Sequence, residues 1–139
     1  MLNLVKLLKL LSDTNRLRIL MLIARKELCV CQIMGVLGLS QPLISRNLSL
    51  LSRSGLLTER KEGKLVFYSL SGEMPDAYQK IIGLLKEIAD ADTTFSGDIS
   101  TLAECEEFQK KTGKCDMKTF REFMKRKPGQ PAQESGGRG

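Results

Sequence analysis

The stretch Ile33–Gly55, IMGVLGLSQPLISRNLSLLSRSG, decides the fold. Ile33, Val36 and Leu37 recur at one-turn spacing and give way to Gly38, which predicts a short helix closed by a left-handed turn. Ser40 is a strong N-cap, and Pro42 fits the first turn of the next helix, where its missing N–H is not needed. Ile44, Leu48 and Leu51 then run down one face until Gly55 ends the helix. Helix, tight glycine turn and capped helix make the helix-turn-helix pattern. Its outer face is left with Gln41, Ser45, Arg46 and Ser49. Gln pairs with adenine edges, Arg with guanine, and Ser with bases or phosphates. An ordinary solvated face carries Glu and Lys instead, whereas this one carries no acid. With Ser40, Pro42 and Asn47, an Asn being able to bond adenine, these are the candidate DNA-contacting residues of the second helix.

Downstream, LLTERKEGKLVFYSL alternates with a two-residue period on either side of Glu62-Gly63 and predicts two strands joined by a tight turn. Arg60, Lys61 and Lys64 crowd its tip, so the hairpin reads as the wing of a winged helix, placed to meet phosphates or the minor groove. Upstream, LNLVKLLKLLS forms a first helix with Leu4, Leu7, Leu8 and Leu11 on one face. Ser12 or Asp13 caps a second, TNRLRILMLIAR, striped by Leu17, Leu20 and Ile23/Ala24. DAYQKIIGLLKEIAD is again amphipathic through Tyr78, Ile81, Ile82, Leu85 and Ile88. The reading is therefore a mainly α fold with a small β-hairpin, a winged helix-turn-helix. The spare apolar faces of its first and last core helices are expected to pair in a homodimer that matches palindromic half-sites on double-stranded operator DNA.

At 139 residues and 42% hydrophobic content, the chain suits one domain with an appendage. The expected division is a DNA-binding and dimerisation domain over 1–92, a partly helical, cysteine-containing extension over 93–127 and a disordered tail over 128–139, rich in Gly, Pro and polar residues. The net charge of +6 suits a polyanionic partner, and its distribution is more telling: +4 over 1–39 and +3 over 40–69, against −5 over 70–104 and +4 beyond. No apolar run nears the roughly 18 residues of a membrane span, and Lys6 and Lys9 interrupt the leucine-rich start, so the expectation is a soluble, cytoplasmic protein with reduced thiols. The chain has no histidine, no glycine-rich phosphate loop and no evident paired catalytic carboxylates, which argues against an enzyme.

Two of the four cysteines, Cys29 and Cys31, stand one residue apart at the start of the helical segment leading into the helix-turn-helix. The run ELCVCQIMGVLGLSQPLISRNLSLLSRSGLLTERKEGKLVFYSL, with DTNRLRIL before it, closely resembles the ArsR/SmtB metalloregulators over residues 2–90 or so. The resemblance implies a dimeric winged helix-turn-helix repressor that leaves its operator when a toxic metal or metalloid binds. The ELCVC segment points to the arsenic-responsive branch, whose effector is arsenite or antimonite; no permanent cofactor is implied. Cadmium- and lead-sensing relatives carry a similar pair. Two departures stand out: Met34 occupies the place of the third cysteine of arsenic-responsive relatives, and Asn47 that of a common histidine.

Thiolates are soft donors that bind thiophilic ions strongly, and trivalent arsenic and antimony form pyramidal three-sulfur complexes, so two cysteines are a partial site. A thioether carries no charge and replaces a thiolate poorly. Cys105 and Cys115, set in ECEEF and KCDMK, are the candidate further ligands, in the same or the partner subunit, with a small thiol or hydroxide as the alternative. Neither sits on a plainly apolar face, so exposure is expected for both. A thiol-based redox or persulfide sensor is the contrasting reading, through a Cys105–Cys115 disulfide. On an ideal helix Cys29 and Cys31 point about 200° apart, so a shared ion requires local unwinding of the helix start.

Overall fold

The computed structural model describes residues 3–112. Asn3 caps the first helix, α1 (Leu4–Leu11), its side chain accepting from the Lys6 N–H at 2.9 Å. Asp13 does the same for Arg16 at 2.8 Å and starts α2 (Thr14–Arg25), the central helix, with Ile19 through Ile23 all buried. A two-residue strand, β1 (Leu28–Cys29), then leads into α3 (Val30–Leu37). Gly38 follows at φ 69°, the left-handed cap that a side chain would strain, and turns the chain into α4 (Gln41–Ser54). Ser40 accepts from the Leu43 N–H as the N-cap of α4, and Pro42 lies in its first turn.

The wing is β2 (Leu57–Glu62) and β3 (Leu65–Leu70), paired antiparallel with Glu62 opposite Leu65. The turn therefore consists of Gly63 and Lys64, one residue on from the expected Glu62-Gly63, and Gly63 supplies the positive φ of 64°. The predicted two-stranded hairpin is in fact the major part of a three-stranded sheet in the order β1-β3-β2. β1 pairs with β3, placing Leu28 opposite Tyr68 and Cys29 opposite Phe67.

α5 (Asp76–Asp90) and α6 (Thr93–Thr112) complete the described chain. The described part of the predicted extension, 93–112, is a 20-residue helix that begins at once after α5 and packs against α2, α3 and α5. Leu102, Cys105 and Phe108 of α6 join the same core as Ile19, Leu20, Ile33, Ile44, Leu48 and Leu51. Each fully buried aliphatic side chain there contributes about 1.5–3 kcal/mol of transfer free energy. The α2–α6 contact also carries an ion pair: Arg18 Nε and Nη2 donate to the two oxygens of Asp98 at 2.9 and 2.8 Å. Burial pushes the Asp98 carboxyl above its ordinary range, against the opposing pull of Arg18, whose own pKa the hydrogen-bonded Asp98 raises. No described helix is long and apolar enough to cross a membrane.

Candidate nucleic-acid interface and thiol site

α4 divides cleanly into two faces. Ile44, Leu48 and Leu51 are buried against α2 and α3, while Gln41, Pro42, Ser45, Arg46 and Ser49 are exposed, as is Ser40 at the cap. Positions 41, 45 and 49 follow one another at four-residue spacing and form one polar ridge with Arg46 beside it.

Asn47 is the correction on this helix. Only 4% exposed, it faces inward, and its Oδ1 accepts a hydrogen bond from Arg16 Nη1 at 3.2 Å. Arg16 also donates through Nε to the Leu10 carbonyl at 2.7 Å and through Nη2 to the Lys9 carbonyl at 3.3 Å. It thereby satisfies carbonyls at the end of α1 and ties that corner to α4. Asn47 is a structural tie, not a base-reading side chain. The signal was present in the spacing, since 44, 47, 48 and 51 lie at i, i+3, i+4 and i+7 and define the inward face.

On the wing, Lys61 and Lys64 are exposed, but the charge of Arg60 is answered locally. Its Nε and Nη2 donate to the two carboxylate oxygens of Glu27 at 3.1 and 2.9 Å, and its Nη1 donates to Glu62 at 2.7 Å. The guanidinium lies over the Phe67 ring, 4.8 Å from its centre. The pairing holds the Glu27 carboxyl below its ordinary value and raises Arg60 further above its own. Arg60, expected from sequence to contact phosphate, also fastens the wing to the segment that opens into β1.

Cys29 is the last residue of β1 and also the N-cap of α3, in extended conformation at φ −103° and ψ 171°. Its N–H donates to Gln32 Oε1 at 3.0 Å, the returning half of a capping box. The expectation that both cysteines belong to one helix is corrected: only Cys31 is helical, and the chain bends between them. Cys29 is 1% exposed and Cys31 7%. Gln32, itself buried, donates through Nε2 to Gln109 Oε1 of α6 at 3.0 Å. Met34, one turn beyond Cys31, is half-buried.

Cys105 was expected to be exposed and is buried, 1% accessible, because α6 docks its Leu102, Cys105 and Phe108 side. The recurrence of these three at three-residue intervals is the signal that flanking charges obscured. Cys115 lies outside the described residues. Among those that are described, no three His, Cys, Asp or Glu side chains are gathered so as to hold a metal ion.

Comparison with known proteins agrees with this geometry. Residues 13–59 match the pattern of the bacterial regulatory protein arsR family. Over 98 residues the chain is 44% identical to the arsenic resistance transcriptional regulator ArsR1 of Pseudomonas putida, covering 69% of this chain and 74% of that protein. It is 49% identical over 79 residues to the arsenical resistance operon repressor of Escherichia coli, covering 56% of this chain and 68% of the relative. Among solved structures, reduced HlyU from Vibrio cholerae is similar at a TM-score of 0.53 and 38% identity, over 59% of this chain and 83% of that one. The homodimeric winged helix-turn-helix DNA-binding domain of Mb0332 from Mycobacterium bovis gives a TM-score of 0.50 at 31% identity, over 60% and 75%. Sequence pattern, relatives and the wing beside α4 agree, and the chain belongs to the arsR family of winged helix-turn-helix bacterial regulators.

Proposed function

We propose that the protein is a cytoplasmic, dimeric transcriptional repressor that binds operator DNA and leaves it when trivalent arsenic or antimony binds the thiolates of Cys29 and Cys31. One observation carries the reading. Cys29 is simultaneously the strand partner of Phe67 in the wing and the N-cap of α3, the helix that packs on α4. Whatever moves Cys29 therefore acts on both elements that face the duplex.

The chemistry follows from the positions. Both thiols are buried, and the bend between them is fixed by the Cys29 to Gln32 hydrogen bond. An ion held by both sulfurs draws on the residue that caps α3, and so loosens the Cys29–Gln32 bond and the first turn of α3. The displaced α3 shifts the ridge of Gln41, Ser45, Arg46 and Ser49, while the β1–β3 pairing shifts Lys61 and Lys64. A coupling free energy of about 1–3 kcal/mol weakens DNA binding roughly 5- to 150-fold.

The dimer is supported by unpartnered apolar surface. Leu4, Val5 and Leu8 on α1, and Leu84 and Ile88 on α5, are all more than half exposed. These are the two helices whose spare faces the sequence assigned to a two-fold interface.

A divalent thiophilic ion is the second reading, favoured by 40% identity over 72 residues to the cadmium resistance regulatory protein CadC homolog of Staphylococcus aureus. One titration tests both. Wild-type protein is bound to a duplex selected for its affinity, and arsenite, antimonite or cadmium is added while fluorescence anisotropy follows release. Release by the first two, abolished in Cys29→Ser with DNA affinity intact, is expected. Release by cadmium alone, or an undiminished arsenite response in the mutant, contradicts the metalloid reading.

A further inference from the structure

We propose that α6 supplies the third thiolate, Cys105, to an ion held by Cys29 and Cys31; this rests on the metalloid reading above and names the remaining ligand of that same site. All three thiols are buried in the same core, and hydrogen bonds and an ion pair join the segments that carry them. Cys29 and Cys31 flank the first residue of α3, and the side chain between α3 and α6 is Gln32, hydrogen-bonded to the Cys29 N–H on one side and to Gln109 on the other. Cys105 stands one helical turn before Gln109, on the buried side of α6. The next residue, Glu106, pairs with Lys26, three positions before Cys29. α6 is thus fastened on the cysteine segment at two points within four residues of Cys105.

A cleft of about 400 Å³ opens between the same segments, lined by Lys26, Gln32, Glu106, Gln109 and Lys110. It gives a small hydrated oxyacid access to Gln32, the residue that holds the cysteine bend. Arsenous acid then exchanges ligands without any change of oxidation state. At each step one As–O bond breaks, one As–S bond forms, and the thiol proton leaves with the hydroxide as water. Three exchanges yield a neutral As(SR)3 centre and three waters. With only two, arsenic keeps one exchangeable As–OH bond, which the Cys105 thiol replaces with the stronger As–S bond. Because the three sulfurs are not gathered in the present structure, the third exchange draws α6 toward α3 at the expense of the Gln32–Gln109 bond. α6 becomes the arm that closes the site.

The test uses full-length protein without DNA and reads binding from the ultraviolet sulfur-to-arsenic charge-transfer band. Arsenite offers three exchangeable As–O bonds, whereas phenylarsine oxide, hydrated, offers two, its third valence being an As–C bond. For Cys105→Ser, and for Cys105→Ala as a second packing context, arsenite affinity is expected to fall at least roughly tenfold. Phenylarsine oxide affinity should stay within about twofold of wild type, which also shows that the two-cysteine half of the site is still folded. Cys115→Ser should bind both compounds as wild type does. Unchanged arsenite affinity in the Cys105 variants, equal loss of both compounds in them, or loss of arsenite affinity in Cys115→Ser alone overturns the proposal. Wild-type binding of neither compound, or full binding by Cys29→Ser, overturns instead the metalloid reading on which it rests.

Discussion

Arg46 and Asn47 are neighbours in sequence and opposite in placement. Arg46 projects from the exposed ridge of α4, whereas Asn47 is buried against Arg16. Substituting Arg46→Ala should cost about 1–3 kcal/mol of DNA binding, concentrated at one base pair of the preferred duplex. Asn47→Ala should leave base preference unchanged and cost about 1–3 kcal/mol of folding stability, since Arg16 Nη1 loses its acceptor. Selection among randomised duplexes, paired with urea unfolding, separates the two outcomes. A changed base preference in Asn47→Ala at full stability contradicts this assignment. Caps and turn glycines were legible because their meaning is local: Ser40, Gly38 and Gly55 act within a few residues of themselves. The Arg16–Asn47 bond was not, since its partners are 31 positions apart and only the packing of α1, α2 and α4 brings them together.

At the scale of elements, the wing is more securely held than a two-stranded hairpin. β1 extends the sheet, and Glu27 clamps Arg60 from beside it. The sign of the pH effect follows from the direction of the shift. Glu27 has its pKa lowered on folding, so the clamp is fully present above the ordinary carboxyl value of 4.5 and is lost as pH falls through the lowered folded value. Asp98 behaves oppositely, its raised value favouring the protonated form as pH falls. The Arg60 Nε–H resonance should therefore move to that of a solvated arginine during acidification below about pH 4.5. In Glu27→Gln the carboxylate clamp is gone, and the resonance should lack that titration at every pH; an identical titration in this variant refutes the clamp. The hairpin and the helix-turn-helix were readable from periodicity. A two-residue strand has no period to read, and the docking of α6, though not its helicity, was obscured because charged residues flank its buried positions 102, 105 and 108.

For the whole molecule, the apolar side chains left exposed on α1 and α5 and the polar ridge of α4 fit the proposed two-fold dimer with two half-sites. Leu84→Glu with Ile88→Glu should give monomers by sedimentation equilibrium and weaken binding to a two-half-site duplex by roughly 100- to 10,000-fold through lost avidity, while thermal unfolding stays cooperative. A dimer that survives both changes requires a different interface. The fold was legible in the sequence because the helix-turn-helix and wing are contiguous. The site was only half legible, since a single residue separates Cys29 from Cys31 whereas the link to α6 through Gln32 and Gln109 spans 77 positions. An ion at Cys29 and Cys31 is proposed to undo the first turn of α3 and the pairing of β1 with the wing. Amide hydrogen exchange on the free protein, with and without one equivalent of arsenite, measures this directly. Exchange should accelerate at Cys29 through Ile33 and at Phe67 and Tyr68 in wild type, remain unchanged in α2, and not respond in Cys29→Ser. Arsenite binding with unaltered or slower exchange at those amides contradicts the account.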